Sequence, residues 1–418
     1  MPASSSVLSQ HAEGTSFLWI LRSAAVAAPH YSLADLAKLD QRVEANLDGL
    51  RIAGEAGWEI CQEALSTEEP GEVFAAAVLA FESGKKDRLD TVLEAGAASQ
   101  ELSRGLVSAL GWLTFPQAEP HIKQLLASQS SAHRRIGIAA SAIHRQNPGP
   151  PLMAAISGAD PLPRSRALRA MGELGLGTSL YELQKYLADE DDQCRFWAAW
   201  TSALLSSDSK AIAILASIAE SNLPYREKAL QVAIRRMETP AAIAWRDKLI
   251  KDAKLVRIAI MAAGAFGDPA IIPWLIVQMN TPELARVAGE AFTMITGVDI
   301  AYQDLDADKP GGFEAGPTEN PEDENVDMDP DDNLPWPAAE PIANWWGSHA
   351  AQFENGARYL LGKPISVDWC RQVLRSGRQR QRAAAALELA IREPGQPLFN
   401  VAAPGFRQQQ LLGLRRKL

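Results

Sequence analysis

The chain has 418 residues, of which 47% are hydrophobic and 22% are charged. This composition allows a large buried core and excludes a chain that is disordered throughout. The formal net charge is −10, whereas a nucleic-acid-binding protein usually carries a basic surface.

The N-terminal sequence predicts no export and no membrane anchor. The opening residues MPASSSVLSQHAEGTSF contain no basic segment followed by an apolar core, so they do not form a secretory signal. No apolar run reaches the ~18 residues that a membrane span needs. Three widely spaced cysteines, Cys61, Cys194 and Cys370, indicate neither a disulfide framework nor a zinc site. We expect a cytoplasmic protein without a membrane partner.

Residues 1–70 predict an N-terminal helical cap. Leucines recur at helical spacing between Leu33 and Leu50, and Ser32 before them is a residue type favoured at helix N-caps. A solenoid needs such a cap because its end repeat would otherwise expose an apolar face.

Residues 71–301 carry a repeat. Seven arginines at spacings of 29 or 31 residues each begin an Ala-rich stretch with helical periodicity, which is followed by a break and a second helix. They are Arg104, Arg135, Arg166, Arg195, Arg226, Arg257 and Arg286. One helical hairpin cannot bury its own apolar faces, whereas stacked hairpins can. The sequence therefore predicts an all-α solenoid of helical hairpins with a period of about 31 residues.

The repeat sequence resembles HEAT repeats of the short, phycobilin-lyase-like type, most closely in KLVRIAIMAAGAFGDPAIIPWLIVQMN. The resemblance implies a HEAT-like fold in which the first-helix arginine pairs with an aspartate of a nearby turn. On this basis Arg195 would pair with Asp191 or Asp192, and Arg257 with Asp252.

The repeat is followed by an acidic segment rich in Pro and Gly at 302–341. Its core, 304–340, holds 13 acidic residues and one lysine, a net charge of −12, and predicts a loop or a disordered insertion. A basic helical unit follows at 342–418. Without 304–340 the remaining residues sum to +2, so the total charge is weak evidence against an anionic partner. We expect the tethered acidic segment to cover the basic unit until a partner displaces it.

Motifs for catalysis, metals and cofactors are incomplete. The acidic stretches DLDADKPGG and DMDPDDN lack the glycine and the glutamate of a calcium loop. GARYLLGKP differs in spacing from a phosphate loop and has Pro364 at the Ser/Thr position. His133 and His144 would lie about 16 Å apart along a helix, which is too far for one metal ion. We predict no catalytic residue, no metal site and no cofactor.

Aromatic and basic residues near the acidic segment are the candidate partner contacts. Tryptophans mark interfaces, although core packing is their commoner use, and the arginines suit an anionic partner or the acidic segment of the same chain. These candidates are Trp336, Trp345, Trp346, Trp369, Arg371, Arg375, Arg378, Arg380 and Arg382.

The two ends of the chain carry a second resemblance. HAEGTSFLWILRSAAVAAP and GRQRQRAAAALELAIREPGQPLFNVAAPGFRQQQLL resemble a proteobacterial HEAT-like family, which has no established activity and is often encoded near type VI secretion genes. The resemblance runs nearly end to end. It implies a cellular setting and not a mechanism. Because a solenoid presents an extended curved surface, we expect a non-enzymatic protein-binding scaffold. Taken with this setting, the scaffold would be an adaptor, effector chaperone or immunity protein, with a type VI secretion effector or spike component as its partner. We expect no nucleic-acid partner.

Two alternatives stay open. The first is an enzyme on a HEAT-like scaffold, similar to a lyase or a DNA glycosylase; the glycosylase would need a basic concave face with a lone aspartate among aromatic residues. In the second, the acidic segment mimics nucleic acid or regulates a partner.

Overall fold

The fold is an all-α solenoid of HEAT-like helical hairpins, as the sequence predicts. The computed structural model describes residues 5–177, 180–317 and 328–414, and within them it contains 22 α-helices and one two-stranded sheet. The first twelve helices are α1 (Ser5–Ala25), α2 (Leu33–Ala53), α3 (Glu55–Ala64), α4 (Pro70–Ser83), α5 (Lys86–Ala97), α6 (Ser103–Trp112), α7 (Phe115–Leu126), α8 (Ser131–Ile143), α9 (Pro150–Ser157), α10 (Pro161–Glu173), α11 (Leu180–Leu183) and α12 (Asp192–Leu205). The other helices are α13 (Ser209–Ala219), α14 (Arg226–Arg236), α15 (Thr239–Ile250), α16 (Val256–Phe266), α17 (Ile272–Gln278), α18 (Pro282–Thr296), α19 (Ala339–His349), α20 (Val367–Ser376), α21 (Gln379–Arg392) and α22 (Gly405–Leu411).

The chain divides into two compact units. The N-terminal unit takes the described residues up to Ser206, together with 375–382 and those from Glu393 onward. The C-terminal unit takes 207–374 and 383–392. None of the described helices has the length and apolar content needed to cross a bilayer.

The predicted repeat is confirmed helix by helix. The seven repeat arginines lie near the starts of α6, α8, α10, α12, α14, α16 and α18. In the N-terminal unit α6, α8, α10 and α12 each pack against the next, and in the C-terminal unit α14, α16 and α18 do the same. These first helices therefore form a continuous layer within each unit, so neighbouring repeats bury one another's apolar faces.

Small residues allow the first helices to approach closely. A Cβ atom at Gly172 of α10 would lie 2.5 Å from the Trp200 ring of α12. At the same contact the Thr201 hydroxyl donates a 2.7 Å hydrogen bond to the Leu168 carbonyl. The glycine is needed here because a side chain would push the two helices apart.

The predicted N-cap at Ser32 is also confirmed. The Ser32 hydroxyl accepts from the backbone N–H of Asp35, and the Asp35 carboxylate accepts from the N–H of Ser32 at 3.1 Å. This reciprocal pair fixes the start of α2, whose buried leucines pack in the core of the N-terminal unit.

The C-terminal residues of the chain run along helix ends of the N-terminal unit. We call residues 395–408 the C-terminal strap. The Leu398 N–H donates to the Glu173 carbonyl at the end of α10 (3.0 Å), and Asn400 donates to the Ile143 carbonyl at the end of α8 (3.4 Å). The last carbonyls of a helix lack partners within that helix, so the strap supplies donors that the helices need.

The strap continues to α6 and to the cap. Arg407 donates to two carbonyls at the end of α6, those of Gly111 (2.9 Å) and Leu113 (2.8 Å). The Gly405 N–H donates to the buried Asp40 carboxylate of α2 at 2.5 Å, and Arg22 of α1 pairs with the same carboxylate at 2.6 Å. The strap thereby connects the repeat helices α6, α8 and α10 to α1 and α2.

In the C-terminal unit a short hairpin occupies the corresponding place. Strands β1 (Tyr359–Leu360) and β2 (Lys363–Pro364) pair antiparallel. The Tyr359 N–H donates to the Gly267 carbonyl after α16 (2.8 Å), and the Leu361 N–H donates to the Met294 carbonyl of α18 (2.7 Å). Gly267 has a φ of +84°, and a Cβ there would lie 2.1 Å from the Tyr359 carbonyl oxygen. Only glycine satisfies both constraints.

Candidate protein-interaction surfaces

The two ends of the acidic segment lie side by side in the C-terminal unit. Asp306 and Pro337 form an isolated β-bridge. The Ala307 N–H donates to the Trp336 carbonyl, and the Ala338 N–H donates to the Leu305 carbonyl, both at 2.8 Å. These bonds hold the described part of the segment in a defined loop beside α18; residues 318–327 of the predicted loop lie outside the described residues.

Two aspartates attach this loop to the repeat arginines. Arg257 donates from both terminal nitrogens to the Asp331 carboxylate, at 2.8 and 2.5 Å. Arg286 donates to the Asp329 carboxylate at 2.5 Å and to the Asp331 carbonyl at 3.1 Å. Although burial opposes it, the backbone N–H of Asp331 and the Arg286 guanidinium hold the pKa of Asp329 below its ordinary value.

These pairs correct two expectations. Arg257 pairs with Asp331 and not with Asp252, whose carboxylate instead accepts from the Lys254 N–H. Asp329 and Asp331 form ion pairs with repeat arginines. For these two residues, the prediction that the acidic segment covers the C-terminal basic unit is therefore wrong. The physical reason is that charge-assisted bonds from the guanidiniums of Arg257 and Arg286 to carboxylates are strong, and the nearby loop supplies those carboxylates.

The other predicted arginine–aspartate pair is confirmed. Arg195 of α12 forms an ion pair with Asp192 and donates to the Asp189 carbonyl at 2.7 Å. All of these contacts lie within the first turn of α12 and the turn before it, as the HEAT resemblance implies.

A cavity of about 400 Å³ opens beside the loop. Its wall includes Trp336, Phe313 and Met328, and the two rings meet edge to face with their centroids 5.1 Å apart. The Arg286 guanidinium lies 4.5 Å from the Trp336 ring centroid, which fixes the indole by a cation–π contact. Lys309 at the rim is exposed, and 74% of Met328 is exposed. The cavity therefore combines an apolar wall with charged and polar side chains, among them Lys309, Asp332 and Asn333.

The three other predicted tryptophans pack against neighbours in the same unit. Trp345 stacks on His349 at 4.1 Å, and Trp346 meets Phe353 at 5.2 Å. The Trp369 indole N–H donates to the Leu360 carbonyl at 2.6 Å. Like Trp336, each of these rings is partly exposed and has a structural contact, but Trp336 alone of the four lines the cavity.

The predicted arginines have different environments. Arg371 is exposed and pairs with Asp368 at 3.5 Å, and Arg375 is exposed. Arg378 donates to the His30 carbonyl (2.6 Å), and Arg380 donates to the Ala27 carbonyl (2.9 Å). These two side chains therefore support the connection between α1 and α2. Their binding to a partner stays a prediction.

Arg382 differs from the other predicted arginines because it is fully buried. Its guanidinium bonds to the side chains of Gln379 and Gln408 inside the N-terminal unit. Burial lowers the pKa of Arg382 to about 10. A buried guanidinium with internal acceptors has no face for a partner, so Arg382 is not placed to contact one.

Sequence reasoning missed a basic cluster in the N-terminal unit. Arg166 and Arg169 of α10 each donate to one oxygen of Glu173, both at 2.8 Å. Arg135 and Arg145 lie close enough to Arg169 for its charge to lower their pKa, after the larger effect of burial. The charges of the arginines overcome burial and hold the pKa of Glu173 at about 2. The spacing of Arg166, Arg169 and Glu173 on one helix was the signal that could have found the cluster.

The structure describes the cysteines and the possible metal ligands of residues 5–177, 180–317 and 328–414. The three cysteines are buried and unpaired, and burial raises the pKa of Cys61 to about 12. Within the described ranges no group of three His, Cys, Asp or Glu side chains is placed to hold a metal ion.

A comparison with protein families supports the repeat assignment. A family model described as HEAT repeats matches residues 149–235, which run from the start of α9 into α14. No curated protein matches the chain. The matched stretch is similar to HEAT repeats, which commonly present extended surfaces for protein–protein interaction and are typically not enzymes.

Proposed function

We propose that this protein is a non-enzymatic scaffold that binds another protein at the cavity beside Trp336. The match to HEAT repeats supports the scaffold role, and the open aromatic wall next to the repeat array supports the position. The wall of Phe313, Met328 and Trp336 suits an apolar side chain of the partner, and the exposed Lys309 suits a neighbouring carboxylate.

The cellular role that we propose is association with type VI secretion. The resemblance of the two chain ends to a family encoded beside type VI secretion genes supports this setting. An adaptor, an effector chaperone and an immunity protein would each hold one effector or spike component, and a repeat scaffold suits all three roles.

The test is co-purification with the products of neighbouring genes, followed by mass spectrometry. We expect the wild-type chain to retain a partner and Met328→Asp to lose it, since an uncompensated charge on the cavity wall opposes docking of an apolar group. Met328 is exposed, so this change leaves the fold intact.

The matched control is Val277→Asp. Val277 is also exposed, at 63%, and lies on α17 of the same unit. Equal loss of the partner in both variants would contradict the cavity as the docking site. Failure of the wild-type chain to retain any protein would contradict the scaffold role.

A further inference from the structure

The basic cluster of the N-terminal unit has more positive charge than its own carboxylate balances. The guanidiniums of Arg145, Arg166 and Arg169 act on the single carboxylate of Glu173, and that of Arg135 lies close to Arg166 and Arg169. Both Glu173 oxygens are already engaged, one by Arg166 and one by Arg169. Like charges this close, in a partly dry setting, are costly unless a further anion joins them.

The arginines also retain unused donors. Arg166 Nη1 is buried and has no hydrogen-bond partner among the described residues, and the Arg166 side chain is only 10% exposed. Arg145 uses its bonds on the Leu398 and Ala142 carbonyls, and Arg135 donates one bond to the Ser103 hydroxyl. A buried guanidinium nitrogen without an acceptor destabilises the folded protein, and a ligand that accepts its hydrogen bond removes this free-energy penalty.

Solvent reaches the cluster at Arg169. This side chain is 42% exposed and lies over the Trp197 ring, 4.7 Å from its centroid. The indole holds the guanidinium plane in place, and the terminal nitrogens of Arg169 make no hydrogen bond within the part of the chain that the structure describes. A ligand would therefore meet an oriented fork on an aromatic surface, with buried positive charge behind it.

We infer that this cluster binds the carboxylates of an acidic segment of a partner protein. Glu173 already shows this chemistry, because its two carboxylate oxygens accept hydrogen bonds from Arg166 Nη2 and Arg169 Nε. A planar carboxylate is an anion that matches the planar donor geometry of a guanidinium. The inference rests on the proposed function, since it supplies the chemistry of the partner that the scaffold holds.

Fluorescence anisotropy with the full-length chain tests the inference. The probe is a fluorescein-labelled peptide of alternating Glu and Gly, and its counterpart has Gln in place of Glu. We expect the Glu peptide to bind and the Gln peptide not to bind. Arg169→Gln should weaken binding about tenfold, the effect of one lost charge-assisted bond. Arg169→Lys should fall between the two because it keeps the charge without the planar fork.

Arg104→Gln is the matched control. Arg104 is another repeat arginine of the same unit and forms an exposed pair with Glu101 on the surface. It should change binding by less than about twofold, since an exposed pair contributes little. Circular dichroism on each variant separates lost binding from lost folding.

Each of the following peptide results overturns the inference: no binding of the Glu peptide, equal binding of the Gln peptide, or a loss of binding in Arg104→Gln equal to that in Arg169→Gln. Duplex DNA and unlabelled Glu peptide are also compared as competitors of the labelled Glu peptide. If duplex DNA displaces it at the lower concentration, the inference is overturned in favour of a nucleic-acid site. The co-purification experiment reports separately on the proposed function. A partner retained equally by wild type and Arg169→Gln contradicts this inference alone, whereas the absence of any retained partner contradicts the scaffold role.

Discussion

Arg257 and Asp331 form a two-point ion pair between a repeat helix and the acidic segment. The Asp331 side chain is 6% exposed and the Arg257 side chain is 32% exposed, so solvent reaches the ion pair mainly from the arginine. Together with the pair of Arg286 and Asp329, it makes part of the acidic segment a structural element of the C-terminal unit. In α12 a nearby aspartate, Asp192, supplies the carboxylate for the repeat arginine. In α16 and α18 the acidic segment supplies it instead.

Asp331→Asn should destabilise the C-terminal unit by about 1–3 kcal/mol, because it leaves the Arg257 guanidinium without its charged acceptor. The free energy of unfolding from urea denaturation measures the loss. Hydrogen exchange should become faster in the described residues around 328–338. Asp332→Asn is the control, since Asp332 is exposed and accepts from the neighbouring Asn333 side chain. Equal destabilisation by both changes would contradict the structural role of Asp331.

Gly267→Ala should lower the stability of the folded protein much more than Gly84→Ala. Both glycines follow a helix with positive φ, +84° and +63°, so alanine is strained at each by about 1 kcal/mol. Gly84 faces open space, whereas a Cβ at Gly267 would meet the Tyr359 carbonyl oxygen at 2.1 Å. We expect Gly267→Ala to cost about 3 kcal/mol or more, since the hairpin must move or lose its bonds. Equal thermal midpoints for the two variants would show that the hairpin is not held at this position.

Acid should weaken the N-terminal unit through Glu173. Its pKa in the folded protein is about 2, against an ordinary 4.5, so its contribution is present above pH 4.5. That contribution is lost as the pH falls from 4.5 through about 2, where the folded protein takes up the proton. Glu173→Gln should therefore be less stable than wild type at pH 7, and the difference should narrow toward pH 2.

Urea midpoints between pH 7 and pH 2 check this dependence, with the exposed Glu190→Gln as the control. The control should follow the wild-type curve. A constant difference between Glu173→Gln and wild type at every pH would contradict the coupling of Glu173 to its arginines.

Arg407→Gln should loosen the C-terminal strap. The guanidinium donates to two carbonyls at the end of α6. The negative end of the helix dipole at this position also stabilises a cation. We expect a loss of about 1–3 kcal/mol and faster hydrogen exchange within 395–408. Arg42→Gln, an exposed residue of the same unit, should leave exchange in the strap unchanged. Unchanged exchange in Arg407→Gln would show that Leu398, Asn400 and Gly405 hold the strap without it.

The sequence by itself determined the local features of this protein. Helical periodicity and the spacing of seven arginines were enough for the repeat, because each hairpin is defined by residues within about 31 positions of one another. Ser32 and the Arg195–Asp192 pair were predictable for the same reason: each contact spans one helical turn. The composition of 302–341 marked a break in the helical pattern, but it did not specify which arginines would pair with the acids.

Only the tertiary structure decided the long-range pairings. The carboxylate of Asp252 is five residues before Arg257 in the sequence, whereas Asp331 is far along the chain. Arg257 pairs with Asp331 because the fold of the acidic segment brings that carboxylate next to it. Arg382 and Arg371 look alike in a basic sequence, yet one is fully buried and the other exposed. The strap bonds such as Leu398 to Glu173 join backbone groups, which every residue carries, so no side-chain pattern could announce them. The basic cluster around Glu173 depends on both kinds of contact, since Arg166 and Arg169 lie on its own helix whereas Arg135 and Arg145 reach it through the packing of α8 against α10.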